Sequence, residues 1–289
     1  MAEIKIAGIM RAPNFSPNHI GNDAAILNHT ADQLRKRGCT VNIYTEEQFV
    51  RGEVTEHIIL NMCREPRSIA LLQQREDDGD LVINSGYGIE NCQRERMSRI
   101  LRGSSIPVPE SIVADTDEVV KRQLTTAGFA DCWVKRADMH AQHREDVSYA
   151  RHPQEAQEIL QEYFLRGIRR AIICRHLKGE LVKFYGVAGT PFFHWFFHFD
   201  SPADRRGDDS AARVAHPALD VDRFRAVCTR AAEILDVTVF GGDAIVGPDG
   251  SFHIIDFKDW PSFAPFRSQV APVIARMVMA RIKKHFNND

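Results

Sequence analysis

GGDAIVGPDGSFHIIDFKDWPSF, residues 241–263, reads as a β-hairpin that carries acids on one face. Gly247-Pro248-Asp249-Gly250 has Pro at the second and Gly at the last position of a four-residue turn. Apolar, β-forming residues flank it. If Val246 faces Ser251 across the turn, Asp243 faces Ile254. Asp256, two residues further, then shares the face of Asp243 as its diagonal neighbour, with Cα atoms about 7–8 Å apart. A bulge in this hairpin would flip one of them away. Both strands are apolar on both faces, so a carboxylate there needs a partner or a metal. Lys258, two residues beyond Asp256, falls on the same face.

The other 266 or so positions set bounds but supply fewer chemical clues. The 289 residues suffice for one large domain or two ordinary ones, and 44% hydrophobic with 26% charged residues is a globular composition. A net charge of −2 gives no reason to expect nucleic acid or an anionic membrane as a partner. No apolar run reaches the roughly 18 residues of a spanning helix, and the N-terminal residues lack a basic, then apolar, leader pattern. The six cysteines are scattered, which suits reduced, buried thiols in a cytoplasm.

Strand and helix patterns alternate through the first hundred residues, and predict a small parallel α/β domain over residues 1–104. Ligands collect at the carboxyl ends of such strands, where Arg11, Ser16, Asn18, His19, Asn84, Ser85 and Tyr87 lie. Gly86 and Gly88 only half match a dinucleotide-binding motif, which is rejected because the third glycine is missing. A linker with Pro107 and Pro109 follows. Residues 105–187 then read as a β-β-α-β-β module, with its last two strands over Arg170–Cys174 and Glu180–Val187. Residues 188–289 hold an aromatic strand, a charged loop over Ser201–Pro217, an amphipathic helix over Asp222–Asp236, the acidic hairpin and a final helix. In the aromatic strand Phe193, Trp195, Phe197 and Phe199 form a core face, and His194, Phe196, His198 and Asp200 the other.

In this order, Arg94-Glu95-Arg96, Ile106–Pro109, Val134-Lys135, Cys174–Gly179, Lys183–Val187, Asp243 and Asp256-Phe-Lys258 resemble the ATP-grasp superfamily. The likeness covers most of residues 94–263. Residues Asp138–Ala141 and the ending Asp259–Phe263 look most like bacterial ATP-grasp proteins without an assigned substrate. The resemblance implies an α/β (α+β) fold in which two α+β subdomains follow the N-terminal domain and sandwich ATP between antiparallel sheets. It implies Lys135 on the α-phosphate and Arg96 in place of a phosphate-contacting lysine. Cys174, Arg175, His176 and Leu177 would form a hinge whose backbone reads adenine, although relatives usually place Gln-Glu where Cys174-Arg175 stands. Lys183 would contact the γ-phosphate or the reacting oxygen. His140, with His143 and Arg144, would replace a glycine-rich phosphate flap. Asp243 and Asp256 would hold Mg²⁺.

Position 258 departs from the pattern, because relatives commonly carry a third metal ligand, Asn, there. Three outcomes stay open: Lys258 replaces one cation, Asp259 swings in as ligand, or catalysis has been lost. The implied activity is an ATP- and Mg²⁺-dependent ligase that joins a carboxylate to an amine through an acylphosphate, with Lys183, Lys258 and Arg96 nearest the chemistry. The alternatives are a kinase of polyols or inositol-phosphate-like molecules, favoured by the basic loop with Arg205, Arg206 and Arg213, and an ATP-binding protein without catalysis. The expected acceptor is a small molecule or a peptide, met by Arg11, Asn18, His19, Asn84, Ser85, His194 and His198; a homodimer is compatible with the sequence.

Overall fold

The computed structural model describes residues 3–15, 20–138, 143–198 and 216–286. Three four-stranded sheets organise them. The first holds β1 (Lys5–Ile9), β2 (Thr40–Tyr44), β3 (Ile58–Asn61) and β4 (Leu81–Ile83) in the parallel order β2-β1-β3-β4. Helices α1 (Ile20–Arg35), α2 (Glu46–Val50) and α3 (Pro66–Asp77) make its crossovers. β3 is fully buried, without the polar alternation that marks a half-exposed strand, and the sequence reading passed over it.

Helices α4 (Gly86–Asn91) and α5 (Arg94–Gly103) lead to the middle sheet. This contains β5 (Ser111–Asp115), β6 (Cys132–Arg136), β7 (Val147–Ala150) and β8 (Arg170–Arg175), antiparallel in the order β5-β8-β6-β7. Helices α6 (Lys121–Thr126) and α7 (Pro153–Leu165) cover one face. Asp115 or Thr116 has the chemistry to cap the following helix, but Asp115 is the last residue of β5 and α6 starts only at Lys121.

The third sheet holds β9 (Glu180–Val187), β10 (Phe193–Phe197), β11 (Val239–Val246) and β12 (Phe252–Asp259) in the order β10-β9-β11-β12. β9 was expected to close the middle sheet. Instead it pairs with β10 and β11, so the chain changes sheets between Arg175 and Glu180. Helix α8 (Val221–Leu235) is capped by the Asp220 carboxylate on Arg223 N and ends at Asp236 in the left-handed region. It packs Phe224, Cys228, Ala231, Ala232 and Leu235 on this sheet. Phe184 lies at the centre of that core, against Phe193, Phe224, Phe240 and Phe257. Each fully buried ring of this kind contributes about 1.5–3 kcal/mol. The aromatic strand thus turns Phe193, Trp195 and Phe197 to the core.

Helix α9 (Arg267–Phe286) returns to the first sheet, and its apolar face joins a single core with β1, β3, β4, Val239, Trp260 and Phe263. The first and third sheets are therefore one packed body. The core of the middle sheet is drawn only from residues 112–173. All six cysteines are free and buried. Among the described residues, no helix is long and apolar enough to cross a membrane.

Candidate functional site

The hairpin turns where expected, with Gly250 N–H donating to Gly247 O at 3.0 Å and Gly250 at φ +78°. The strands begin one residue later, however. Gly247 N–H donates to Ser251 O, and Val246 pairs with Phe252 rather than Ser251. Continued regularly, that register would place Asp256 opposite Gly242, on the core face. A β-bulge prevents it: Ala244 pairs with Ile254, Asp243 with Asp256, and Ile255 is the extra residue between. The bulge, expected to separate the two acids, is what brings them together, directly opposite rather than diagonal. Its trace is visible in the sequence, since core residues Phe252, Ile254 and Phe257 are spaced by two and then three. The extra residue falls on β12, an edge strand, where bulges are tolerated.

Two rows of side chains cross the third sheet on the face away from α8. One runs Phe196, Lys183, Asp243, Asp256 from β10 to β12; the next runs His194, Tyr185, Gly241, Lys258. Lys183 Nζ donates to Asp243 Oδ1 at 2.9 Å. Lys258 Nζ donates to Asp243 Oδ2 at 2.9 Å and lies 3.2 Å from Asp256 Oδ2. Burial by itself would raise the Asp243 pKa, but Lys258 and Lys183 outweigh it and hold the carboxylate below its ordinary range. Burial opposes the Lys258 charge as well, yet Asp243 and Asp256 push its pKa far above that of a free lysine. Among the described residues, two carboxylates and two ammonium groups thus meet in one cluster.

The middle sheet meets this cluster through Lys135. In β6 Cys132, Val134 and Arg136 are buried, and the intervening Trp133 and Lys135 face the other way. Lys135 Nζ donates to Ile255 O, the carbonyl of the bulge residue, at 3.3 Å. The two antiparallel sheets are therefore bridged where the acids stand. Cys174, opposite Trp133, is buried on the Lys135 side, and burial raises its thiol pKa. Trp133 Nε1 donates to His176 Nδ1 at 3.1 Å, and Tyr149 packs edge-on against His176 with 5.3 Å between ring centroids. Sequence reading did not single out Trp133 and Tyr149, although Trp133 stands two residues before Lys135 and must share its face.

Other expected residues are occupied elsewhere. Arg175 turns away from the cleft, pairs with Glu110 at 2.7 Å, donates to Ala127 and Gly128 carbonyls and lies over Phe129. Arg175 N–H donates to Glu110 O and His176 N–H to Asp131 O, which leaves Leu177, half-buried, as the hinge residue whose N–H has no partner among the described residues. Arg96 pairs with Glu90 at 2.8 Å. Asp259, considered as a metal ligand, points to the opposite face from Lys258 and binds Arg64 at 2.5 Å with its side chain wholly buried. Alternation along β12 dictates this, and corrects the expectation.

Arg11 is likewise structural, held by Asp23 at 2.8 Å and donating to Met62 O and Trp260 O. Burial lowers its pKa to about 10, with Arg64 adding to the effect against Asp23 and Asp259. Asn84 spends its side chain on Thr238 N, Val239 N and Val239 O at 2.8–2.9 Å. Ser85 caps α4 and donates to Glu76. These three residues were expected to meet substrate because strand ends usually do. Here Arg11 and Asn84 are spent on residues at the ends of β12 and β11, and Ser85 on Glu76 of α3.

His194 stacks on Phe266 at 4.5 Å, with a pKa lowered by burial, and borders a groove of about 450 Å³ with Thr190, Phe192 and Arg276. His198 is exposed. Asn18, His19, His140, Phe199 and Asp200 lie outside the described residues, as does the charged loop up to residue 215. His143 N–H is spent on Asp146.

Asp243 and Asp256 offer hard oxygens suited to Mg²⁺, which needs few protein ligands when phosphates and water supply the rest. Among the described residues, no group of three or more His, Cys, Asp or Glu could hold a metal, so the fit is to an ion that shares its coordination with a bound phosphate chain.

No family model and no curated protein matches this sequence. Solved structures do match its shape over nearly the whole chain. D-alanine–D-alanine ligase from Bacillus anthracis, complexed with ATP, is 14% identical with a TM-score of 0.69, covering 98% of this chain and 99% of that one. The ligase of the same name from Coxiella burnetii gives 11% and 0.70, covering 98% and 96%. The ATP-grasp ligase PsnB, complexed with minimal precursor, Mg and ADP, gives 17% and 0.65, covering 97% and 98%. With a parallel N-terminal sheet, two antiparallel sheets bridged by Lys135, and paired aspartates on the C-terminal hairpin, this chain has the ATP-grasp fold.

Proposed function

We propose that this chain is an ATP- and Mg²⁺-dependent ligase that converts a carboxylate to an acylphosphate for attack by an amine. The observation that carries the reading is the meeting of Lys135 from one sheet with the bulge beside Asp256 on the other. It is supported by structural neighbours that are ATP-dependent ligases.

Phosphoryl transfer depends mostly on positioning and charge neutralisation. Lys135 is free to exchange its single carbonyl contact for the α-phosphate of ATP, a stronger partner. Leu177 N–H offers the donor, and the neighbouring hinge carbonyls the acceptors, for the adenine edge. Lys183, in the row of Asp243, orients the γ-phosphate or the acceptor oxygen. Asp243 and Asp256 would hold Mg²⁺, which when bound neutralises charge on the phosphates. The six buried thiols suit a reducing cytoplasm. The acceptor is an amino acid-like molecule or a peptide, since the neighbours include both D-alanine–D-alanine ligases and a ligase complexed with a precursor peptide.

The test is ADP and inorganic phosphate release against pooled amino acids, peptides and polyols. A ligase releases both; a kinase leaves the phosphate on the acceptor; a binding protein shows ATP-dependent thermal stabilisation without ADP. Asp256→Asn should abolish ADP release with the fold retained, and normal turnover in that variant would refute the metal assignment.

A further inference from the structure

Lys258 Nζ occupies the point between Asp243 Oδ2 and Asp256 Oδ2 that an ion bridging both carboxylates would take. The place is built. Asp243 and Asp256 are paired across the strands by the bulge, and Lys258 lies in the adjacent row of the same face. Its opposite number on β11 is Gly241, so no side chain stands between the ammonium and the acids. The second ammonium, Lys183, holds the other oxygen of Asp243.

Each carboxylate has about four lone-pair sites. Asp243 uses two on ammonium groups and keeps two, enough for one metal ion on the phosphate side. A second divalent ion in the bridging position would have to displace Lys258 or sit within a few ångströms of it, where like charges repel strongly.

We propose that Lys258 is a tethered monovalent cation that fills the bridging position between Asp243 and Asp256, so that nucleotide binds with one divalent ion rather than two. The inference rests on the reading of this site as an ATP site, and adds the number of ions. It also distinguishes the three outcomes open at position 258: the lysine substitutes for a metal, and neither Asp259 nor loss of the site is needed.

The test counts ions directly. Wild-type protein, the variants Lys258→Asn and Lys258→Arg, and a non-hydrolysable ATP analogue are titrated with Mn²⁺, and bound ions are counted by electron paramagnetic resonance. Nucleotide affinity is measured in parallel by calorimetry. Wild type should bind one Mn²⁺ per chain and saturate as a single site. Lys258→Asn, neutral and an oxygen donor, should bind two, with a steeper dependence of nucleotide affinity on Mn²⁺. Lys258→Arg should return to one. Two ions on the wild type, or one on Lys258→Asn with unchanged Mn²⁺ dependence, overturns the proposal. The wild-type count decides even if a variant does not fold. Absence of nucleotide binding by the wild type is a separate failure: it removes the ATP reading itself, and this inference with it.

Discussion

Lys258 changes what the carboxylates around it mean. In its absence Asp243 and Asp256 would be two buried, repelling anions. In its presence they are one side of a compensated cluster. Because Lys258 and Lys183 depress the Asp243 pKa despite its burial, the cluster stabilises the fold fully above the ordinary aspartate pKa of 3.8. That contribution is lost as pH falls through the lower folded value. Asp243→Asn should therefore cost about 1–3 kcal/mol near neutral pH, between the values for exposed and buried pairs. Urea unfolding at a series of pH values checks it: the gap to wild type should narrow below about pH 4. A gap independent of pH would mean that packing, not charge, made the difference. Asp259 shows the other side of the lesson. Its position three residues past Asp256 suggested a ligand, but alternation sends it to Arg64, where burial disfavours the Arg64 charge and Asp259 more than restores it.

The bulge is the element that aligns the acids, and its two halves make different predictions. Ile255 is surplus to the register and belongs to no core cluster, so its deletion leaves every flanking β11–β12 pair unchanged and removes only the carbonyl that Lys135 Nζ binds at 3.3 Å. The deleted chain should unfold cooperatively at a midpoint close to wild type and retain Asp243 opposite Asp256. Gly242→Ala behaves oppositely, because its Cβ would lie 2.3 Å from Asp256 O and 2.4 Å from Phe184 Cζ. Relief of that overlap moves both the strand and the core ring, and should cost about 1–3 kcal/mol. Thermal unfolding of the two variants side by side measures the contrast, which disappears if Ile255 packs indispensably. The hairpin, its turn and the core face of the aromatic strand were readable from local alternation, whereas the shared face of Asp243 and Asp256 depends on the bulge and was reached through a register one residue off. The membership of β9 was not, because Glu180–Val187 alternates equally well beside β8 or β11. The bulge was overlooked although the two-then-three spacing encoded it. The buried engagements of Arg11, Arg64 and Asn84 depend on residues about 150–250 positions away, and no local pattern predicts them.

At the scale of the molecule, the N-terminal domain is fastened to the hairpin sheet by buried polar contacts as well as a shared core. Arg11 reaches Trp260 O, Arg64 binds Asp259, Trp260 Nε1 donates to Ile83 O, and Asn84 completes the start of β11. Asn84 is the most demanding of these, because it is both donor and acceptor with no exposure. Asn84→Ala leaves the N–H groups of Thr238 and Val239 without their acceptor, while Val239 O keeps the Trp260 N–H. Each unsatisfied buried group costs about 1–3 kcal/mol, and water entering the vacated space recovers part, so a net loss of about 2–4 kcal/mol is expected. Asn84→Asp is the sharper test. Its carboxylate still accepts from Thr238 and Val239 but meets the Val239 carbonyl with no proton, whereas the neutral acid can donate there. Burial and that carbonyl raise the folded pKa above the unfolded one. The variant's stability relative to wild type should consequently be greatest at low pH and decline as pH rises through the raised pKa. Urea midpoints between acid and neutral pH for wild type and Asn84→Asp record the difference. A constant offset would show that the side chain does not bridge the two sheets as a donor.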